Sequence, residues 1–362
     1  MTCCLHPAAN RYHCGPAQIE GPALVTFLLN LLMKNTLLLA LALLLAQTSQ
    51  ACDICGCFMG ITPYDNQSSF SLMHRYRVFN GYQEFDQHPR FFPASARPLL
   101  AQPLNGADAD YSHSHKGDPT DFEAFRVIEM RGKYFLAKRL ELNAFVPYVM
   151  NTSQINGRQL NLSGLGDMTV FAGYHLLRNI ETAGVQSRLI AGGGVKLPTG
   201  SFRRANDAGR RYPTLTQPGT GTTDSFVYAN YIASYRNVGL SLNTSYRRGA
   251  TNRFNEGLAP GIAAFANLFY RVPLGENWQL YPSAQLFYEK TKGEMFEEKL
   301  TGEHAMNNAL LGPGLDLYYK NLSLNASVQL PVYTAATNHP ASAGRLVLAL
   351  GYNLKQTKYL LR

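Results

Sequence analysis

After residue 51 the sequence has no apolar run of about eighteen residues, so no helix of the processed chain is long enough to cross a membrane. Charge is sparse, at 16% Asp, Glu, Lys and Arg, and there is a single Trp among 362 residues. The sequence contains no nucleophile elbow, no HExxH and no Ser-His-acid grouping, which argues against the familiar hydrolase classes and against an enzyme. Nor does a zinc finger, an RNA-binding signature or a basic helix accompany the net charge of +9, so nucleic acid is not the expected partner.

What remains is aromatic and alternating. There are 21 Tyr and 19 Phe, 46% of residues are hydrophobic, and the mean hydropathy is −0.16. Barrel strands produce this average because apolar and polar side chains alternate along them. A membrane protein without helical spans must be a closed barrel, since only closure pairs every backbone group in lipid. The one basic cluster, Arg203, Arg204, Arg210 and Arg211, falls in a Gly/Pro-rich loop and suits attraction to lipid head groups or lipopolysaccharide phosphates.

The N-terminus indicates the compartment. Met33-Lys34-Asn35, the apolar Leu37 to Ala46 and the small-residue site ending at Ala51 form a cleavable signal peptide, 33–51. An uncleaved helix over Ala23 to Ala46 would place Lys34 near its centre, at a cost of about 2.5–3.5 kcal/mol. Residues 1–32, with Cys3, Cys4 and Cys14, resemble neither signal nor domain, which points to Met33 as the start. Cleavage removes Arg11, Lys34 and Glu20 and leaves a charge of about +8. The expected organisation is a periplasmic Cys-rich segment, 52–68, followed by a barrel, 69–362.

Strict period-two alternation marks the strands. In 321–330, Leu322, Leu324, Ala326, Val328 and Leu330 oppose Asn321, Ser323, Asn325, Ser327 and Gln329. Similar phases recur in Val238 to Arg248 and Arg345 to Lys355. Strands are predicted at 69–82, 121–134, 139–150, 166–178, 185–197, 223–236, 238–248, 261–272, 278–290, 304–319, 321–332 and 344–358. The fold class is therefore all-β, a transmembrane antiparallel β-barrel of about twelve strands, an even number as bacterial barrels have. Long connections (83–120, 151–165, 198–222, 249–260, 291–303, 333–343) alternate with tight ones near Ala137, Asn179, Asn237, Leu274 and Lys320, as external loops and periplasmic turns do. A soluble β-sandwich also alternates apolar and polar residues, but it has no reason to alternate loop lengths.

Three motifs occur in order: Gly164-Leu165-Gly166-Asp167, Gly194-Val195-Lys196-Leu197-Pro198-Thr199-Gly200 and Gly219-Thr220-Gly221-Thr222-Thr223-Asp224. Over roughly residues 120 to 355 the chain resembles outer-membrane proteins grouped as the meta-pathway phenol-degradation family, often labelled transporters. The resemblance implies a barrel passing small, apolar molecules; the family name reflects genetic context and transfers no substrate. Physically the motifs read as structural, because Pro198 lacks the amide that would continue a ladder and Gly200 permits a positive-φ loop. The end, Lys358-Tyr359-Leu360-Leu361-Arg362, departs from the aromatic terminus of many barrels, with Tyr359 as the nearest substitute.

Cys52, Cys55 and Cys57 lie immediately behind the cleavage site. Thiolates so spaced can converge on a soft ion, Cu(I) or Zn(II), while a disulfide or lipidation of Cys52 are the competing uses. His113 and His115, beside Asp108 and Asp110, form a second candidate metal cluster in a loop at the opposite end of the barrel. Arg75, Arg77, Glu129, Arg131, Asp167, Lys196 and Arg247 fall on the polar strand phase and are expected to face the lumen, either tuning selectivity or bracing the wall. Gly192 and Gly194 share that phase and are expected to leave space beside Lys196. The sequence thus predicts an outer-membrane channel or transporter for passive passage of a small, apolar solute, carrying a periplasmic thiol cluster for a soft metal. The alternative is a non-conducting, membrane-anchored metal-binding module.

Processing gives the first prediction. The intact mass of protein isolated from outer membranes should match a chain beginning at Cys52. A mass retaining Met33 would defeat that assignment, and an added diacylglyceryl group would identify a lipoprotein instead.

Overall fold

The computed structural model describes residues 67–354 except 81–121, 156–157, 180–183, 208, 210, 213, 302–304 and 338–340. Seventeen strands are described, in chain order: β1 (Ser69–Asn80), β2 (Phe122–Ala137), β3 (Leu140–Ile155), β4 (Arg158–Leu165), β5 (Thr169–Asn179) and β6 (Val185–Lys196). There follow β7 (Asp224–Tyr235), β8 (Val238–Arg248), β9 (Glu256–Leu258), β10 (Gly261–Tyr270), β11 (Val272–Leu274) and β12 (Trp278–Thr291). The last are β13 (Glu294–Phe296), β14 (Lys299–Leu300), β15 (Ala305–Tyr319), β16 (Leu322–Thr337) and β17 (Ala341–Asn353). Among the described residues no helix is long and apolar enough to cross a membrane.

Twelve of these strands form one antiparallel sheet that closes on itself. Neighbours in sequence are neighbours in space, β1 pairs with β17, and β10 pairs with β12 from Gly261↔Thr291 to Phe269↔Ser283. Closure leaves no open edge, which is the condition for crossing lipid with strands. Two-residue connections, Lys138-Arg139, Arg236-Asn237 and Lys320-Asn321, gather at one end, where β1 begins and β17 ends. At the other end β9, β13 and β14 form a small separate sheet within the long connections.

Two connections predicted to be long are largely strand. β3 runs on to Ile155 and pairs with β4 from Tyr148↔Leu165 to Ile155↔Arg158, and β16 and β17 extend to Thr337 and from Ala341. Segments such as Asn151-Thr152-Ser153-Gln154 are polar in both phases and so lack an alternation signal. A backbone ladder needs no apolar face once it leaves the hydrocarbon.

The burial pattern is inverted relative to a soluble protein. Large apolar side chains point outward, among them Leu350 at 56% exposure, Leu330 at 58% and Val227 at 58%, whereas Glu289 and Gln329 inside are at 0%. Exposed Tyr134, Tyr174, Tyr235, Tyr270, Trp278 and Tyr352 all lie near the tight-turn end, and the Trp278 ring sits 4.3 Å from Tyr319, centroid to centroid. Such a girdle of amphipathic rings marks a membrane–water interface. This exterior identifies a transmembrane barrel.

Leu348 points outward from β17, four residues from the girdle residue Tyr352. Leu348→Arg should destabilise the barrel by about 2–4 kcal/mol in urea unfolding from lipid vesicles. A soluble surface would absorb the change within about 0.5 kcal/mol, and such a result would remove the membrane assignment.

Candidate functional site

The functional surface of a barrel is its lumen, and here strand phase decides what lines it. Arg75 and Arg77 on β1, Glu129 and Arg131 on β2, Lys196 on β6 and Arg247 on β8 are all buried inside the barrel, and Asp167 is buried between β4 and β5. Cys52, Cys55, Cys57, His113 and His115 lie outside the described residues. Among the described residues no group of three or more His, Cys, Asp and Glu side chains could hold a metal ion.

Part of the lumen is filled by apolar side chains. Met73, Ala263, Phe265, Phe287, Leu310 and Val347 pack as one buried cluster, drawing on β1 and, nearly opposite, β10. Above them Arg77 crosses from β1 to Glu289 on β12, donating from Nη1 to Oε2 at 2.8 Å and from Nη2 to Oε1. Gln329 donates to Gln285 at 2.9 Å, and Arg345 donates to Gln329 at 3.0 Å while lying 4.2 Å from the Phe287 ring centroid. Arg77 and Glu289 are thereby matched on leaving water, where an unmatched charge would cost several kcal/mol. Glu289 occupies the inward phase with Gln285 and Phe287, so period two could have placed it in the lumen, although not opposite Arg77.

The three glycine-bearing motifs converge at the long-connection end. Asp167 receives the Gly200 amide at 3.0 Å, the Thr220 amide at 2.8 Å and the Thr220 hydroxyl at 2.7 Å. Lys196 Nζ lies 3.2 Å from Asp167 and 2.9 Å from Asp224, and it also donates to Thr220 and Thr222. Arg247 completes the set, reaching Asp224 at 3.0 Å and the Ala259 carbonyl at 2.8 Å. Gly200 and Gly219 are required for space rather than for a positive φ. A Cβ on Gly200 would stand 2.8 Å from Gly219 Cα, and one on Gly219 would stand 2.7 Å from Gly200 C. This corrects the expectation for Gly200; it is Gly221 whose φ is positive, at 70°.

The knot seats a segment of the 198–222 connection inside the barrel mouth. Thr214, Thr216, Gln217 and Pro218 are buried, and Asn151 donates to the Thr216 carbonyl at 2.9 Å. The break between β4 and β5 admits it, since β3 pairs with β5 up to Phe145 and with β4 from Tyr148. Arg211, counted in the basic loop cluster, pairs with Glu256 and stacks 3.6 Å over Phe254, which ties the connection to its neighbour. Nor do Gly192 and Gly194 leave free space beside Lys196. A Cβ on Gly194 would meet Phe171 Cβ at 2.2 Å, and one on Gly192 would meet Tyr228 Cε1 at 2.7 Å.

Two cavities lie in the lumen. The upper, about 130 Å³, is lined by Arg75, Phe79, Phe125, Val149, Leu215 and Pro218 among others, beneath the inserted segment. The lower, about 120 Å³, opens among Lys133, Glu141, Asn143, Arg188, Asn230 and Asn325 at the tight-turn end. Glu129 lines the first and Arg131 the second, and the two are joined at 2.5 Å with Arg131 4.4 Å over the Phe145 ring. At the lower end the inward phase also carries His175, whose Nε2 lies 3.3 Å from Glu141 Oε2 in a buried pair.

Neither a protein-family model nor a curated protein matches the chain. Among solved structures, an outer-membrane channel from Pseudomonas putida F1 superposes with a TM-score of 0.54 at 13% identity, covering 82% of this chain and 100% of that one. The β-domain of the Bordetella autotransporter BrkA gives 0.41 at 12% identity, over 80% and 100% of the two chains. The transport unit of the Escherichia coli autotransporter AIDA-I gives 0.40 at 8%, over 83% and 93%. Of these, the first shares the architecture, and what it shares is the fold. The chain is a closed, twelve-stranded antiparallel β-barrel.

Lys196→Met should cost about 3–5 kcal/mol, because it leaves Asp167 and Asp224 buried without their shared cation. Urea unfolding measures the loss, and protease cleavage within 198–222 should accelerate as the segment leaves the mouth. Unchanged stability and unchanged cleavage would show that the knot does not hold the segment.

Proposed function

We propose that the protein is a channel in the outer membrane of a Gram-negative bacterium, through which a small solute moves passively down its gradient. The long connections face outside and the tight turns face the periplasm. The observation that carries this reading is the pair of cavities in the lumen of a closed barrel, with the Glu129–Arg131 pair between them. The solute enters the upper cavity beside the inserted segment, passes that pair and leaves among the polar side chains of the lower one. The apolar walls at Phe79, Phe125, Val127 and Val149 favour a solute with an apolar body, which also accords with the resemblance to the phenol-degradation family.

Because β1 starts at the tight-turn end, residues just before it belong to the periplasmic side in this reading. There Cys52, Cys55 and Cys57 would hold Cu(I) or Zn(II) as thiolates, and His113 and His115, in the connection between β1 and β2, would lie at the other end.

Single-channel recording in planar bilayers tests the proposal. Purified wild-type protein should conduct in small steps, and Glu129→Ala with Arg131→Ala should raise the conductance about twofold or more by removing the pair between the cavities. Absence of conductance in both would remove the channel reading. If the same preparation bound one metal ion per chain, lost on triple Cys→Ser substitution, the membrane-anchored metal-binding module would replace it.

A further inference from the structure

The upper cavity contains one charge that nothing among the described residues balances. Arg75 is 6% exposed and lines the cavity, and its guanidinium makes no hydrogen bond or ion pair among the described residues, with Nη1 fully buried. The other charged groups around the cavity are engaged. Arg77 is held by Glu289 and lies 4.5 Å from the Phe79 ring centroid, Glu129 is held by Arg131, and Asp167 by Lys196. A buried guanidinium with neither counter-ion nor acceptor is costly, so an anion that reaches it gains a charge-assisted, bidentate partner.

The remaining walls describe the rest of the ligand. Phe79 and Phe125 meet edge to face with centroids 5.6 Å apart, and Val127, Val149, Leu215 and Pro218 continue an apolar lining. The cavity is about 130 Å³. An apolar cavity of roughly 150 Å³ admits benzene, so the body that fits is one ring or a short chain rather than a long acyl tail.

We infer that the upper cavity is a binding site for a small amphipathic carboxylate, with Arg75 taking the carboxylate and the Phe79–Phe125 wall taking a compact apolar body. The inference deepens the channel reading by naming the class of solute that the lumen holds. Binding is measured at equilibrium and without transport, so a failure here leaves the conductance result standing, and the converse also holds. Inorganic anions would satisfy Arg75 alone and gain nothing from the walls. Neutral aromatics would fill the walls and leave Arg75 unmatched.

The test is calorimetric titration of the full-length processed barrel in detergent with benzoate, benzamide and acetate. Benzoate should bind at least about tenfold more tightly than benzamide, which lacks the charge, and than acetate, which lacks the ring. Arg75→Gln should weaken benzoate about tenfold or more and abolish its advantage over benzamide. Val127→Trp, which keeps Arg75 but fills the cavity, should abolish binding of benzoate. Both variants are first shown to be folded by their heat-modifiable gel mobility, and Arg75→Lys, which retains a cation, should recover part of the affinity. Equal binding of benzoate and acetate would reduce the site to a plain anion site and overturn the proposal. So would equal binding of benzoate and benzamide, an unchanged affinity in Arg75→Gln, or no binding to the wild type.

Discussion

Hydrocarbon offers no hydrogen-bond partner to a peptide group, and nearly every other feature of this molecule follows from that constraint. A strand placed in lipid must have a neighbour on each side, so the sheet has to close, as it does between β10 and β12. Closure then divides every strand into two phases with opposite solvents. On β16, Leu322, Leu324, Val328 and Leu330 are left to the lipid, while Ser327 and Gln329 are buried inside. The same division places Tyr and Trp where the tight turns meet the interface.

The interior inherits a harder problem. Twelve strands enclose more space than the filled eight-stranded barrels and less than the water-filled sixteen-stranded porins. This chain fills part of it with Met73, Phe265, Phe287, Leu310 and Val347, and crosses the lumen from Arg77 to Glu289. Around the mouth, Asp167, Lys196, Asp224 and Arg247 neutralise one another and hold the 214–220 segment inside. A half-satisfied network would be worse than an apolar core, and the matching of these groups is correspondingly dense. Against that background Arg75, without a partner among the described residues, reads as a place kept for a ligand.

Period two made the twelve strands legible, because one face in lipid and one in the lumen impose different chemistry on alternate residues. It failed where both phases are polar, as in Asn151 to Gln154, since the ladder there extends beyond the hydrocarbon and no longer needs an apolar face. Phase also reaches the lumen-lining side chains one by one, but not their partners. That Arg77 meets Glu289, 212 residues away, follows from the circumference of the barrel. The glycine motifs were legible as structural while their reason was not. Gly200 and Gly219 are small because two chain segments cross there, and a crossing leaves no trace in local sequence. The insertion of the 198–222 connection was invisible for the same reason, because its polar, Gly/Pro-rich composition is that of any external loop.

This sheet therefore has lipid on one side and a braced, largely buried lumen on the other. Spin labels placed singly from Val238 to Arg248 on β8 separate the two faces, read by collision with oxygen, which partitions into lipid, and with a water-soluble nickel chelate. Oxygen accessibility should be strong at Leu240, Leu242, Thr244 and Tyr246, with low accessibility to both reagents at Ser241, Asn243 and Ser245. Nickel accessibility rising at Leu240 and Leu242 instead, or no alternation along the strand, would contradict it.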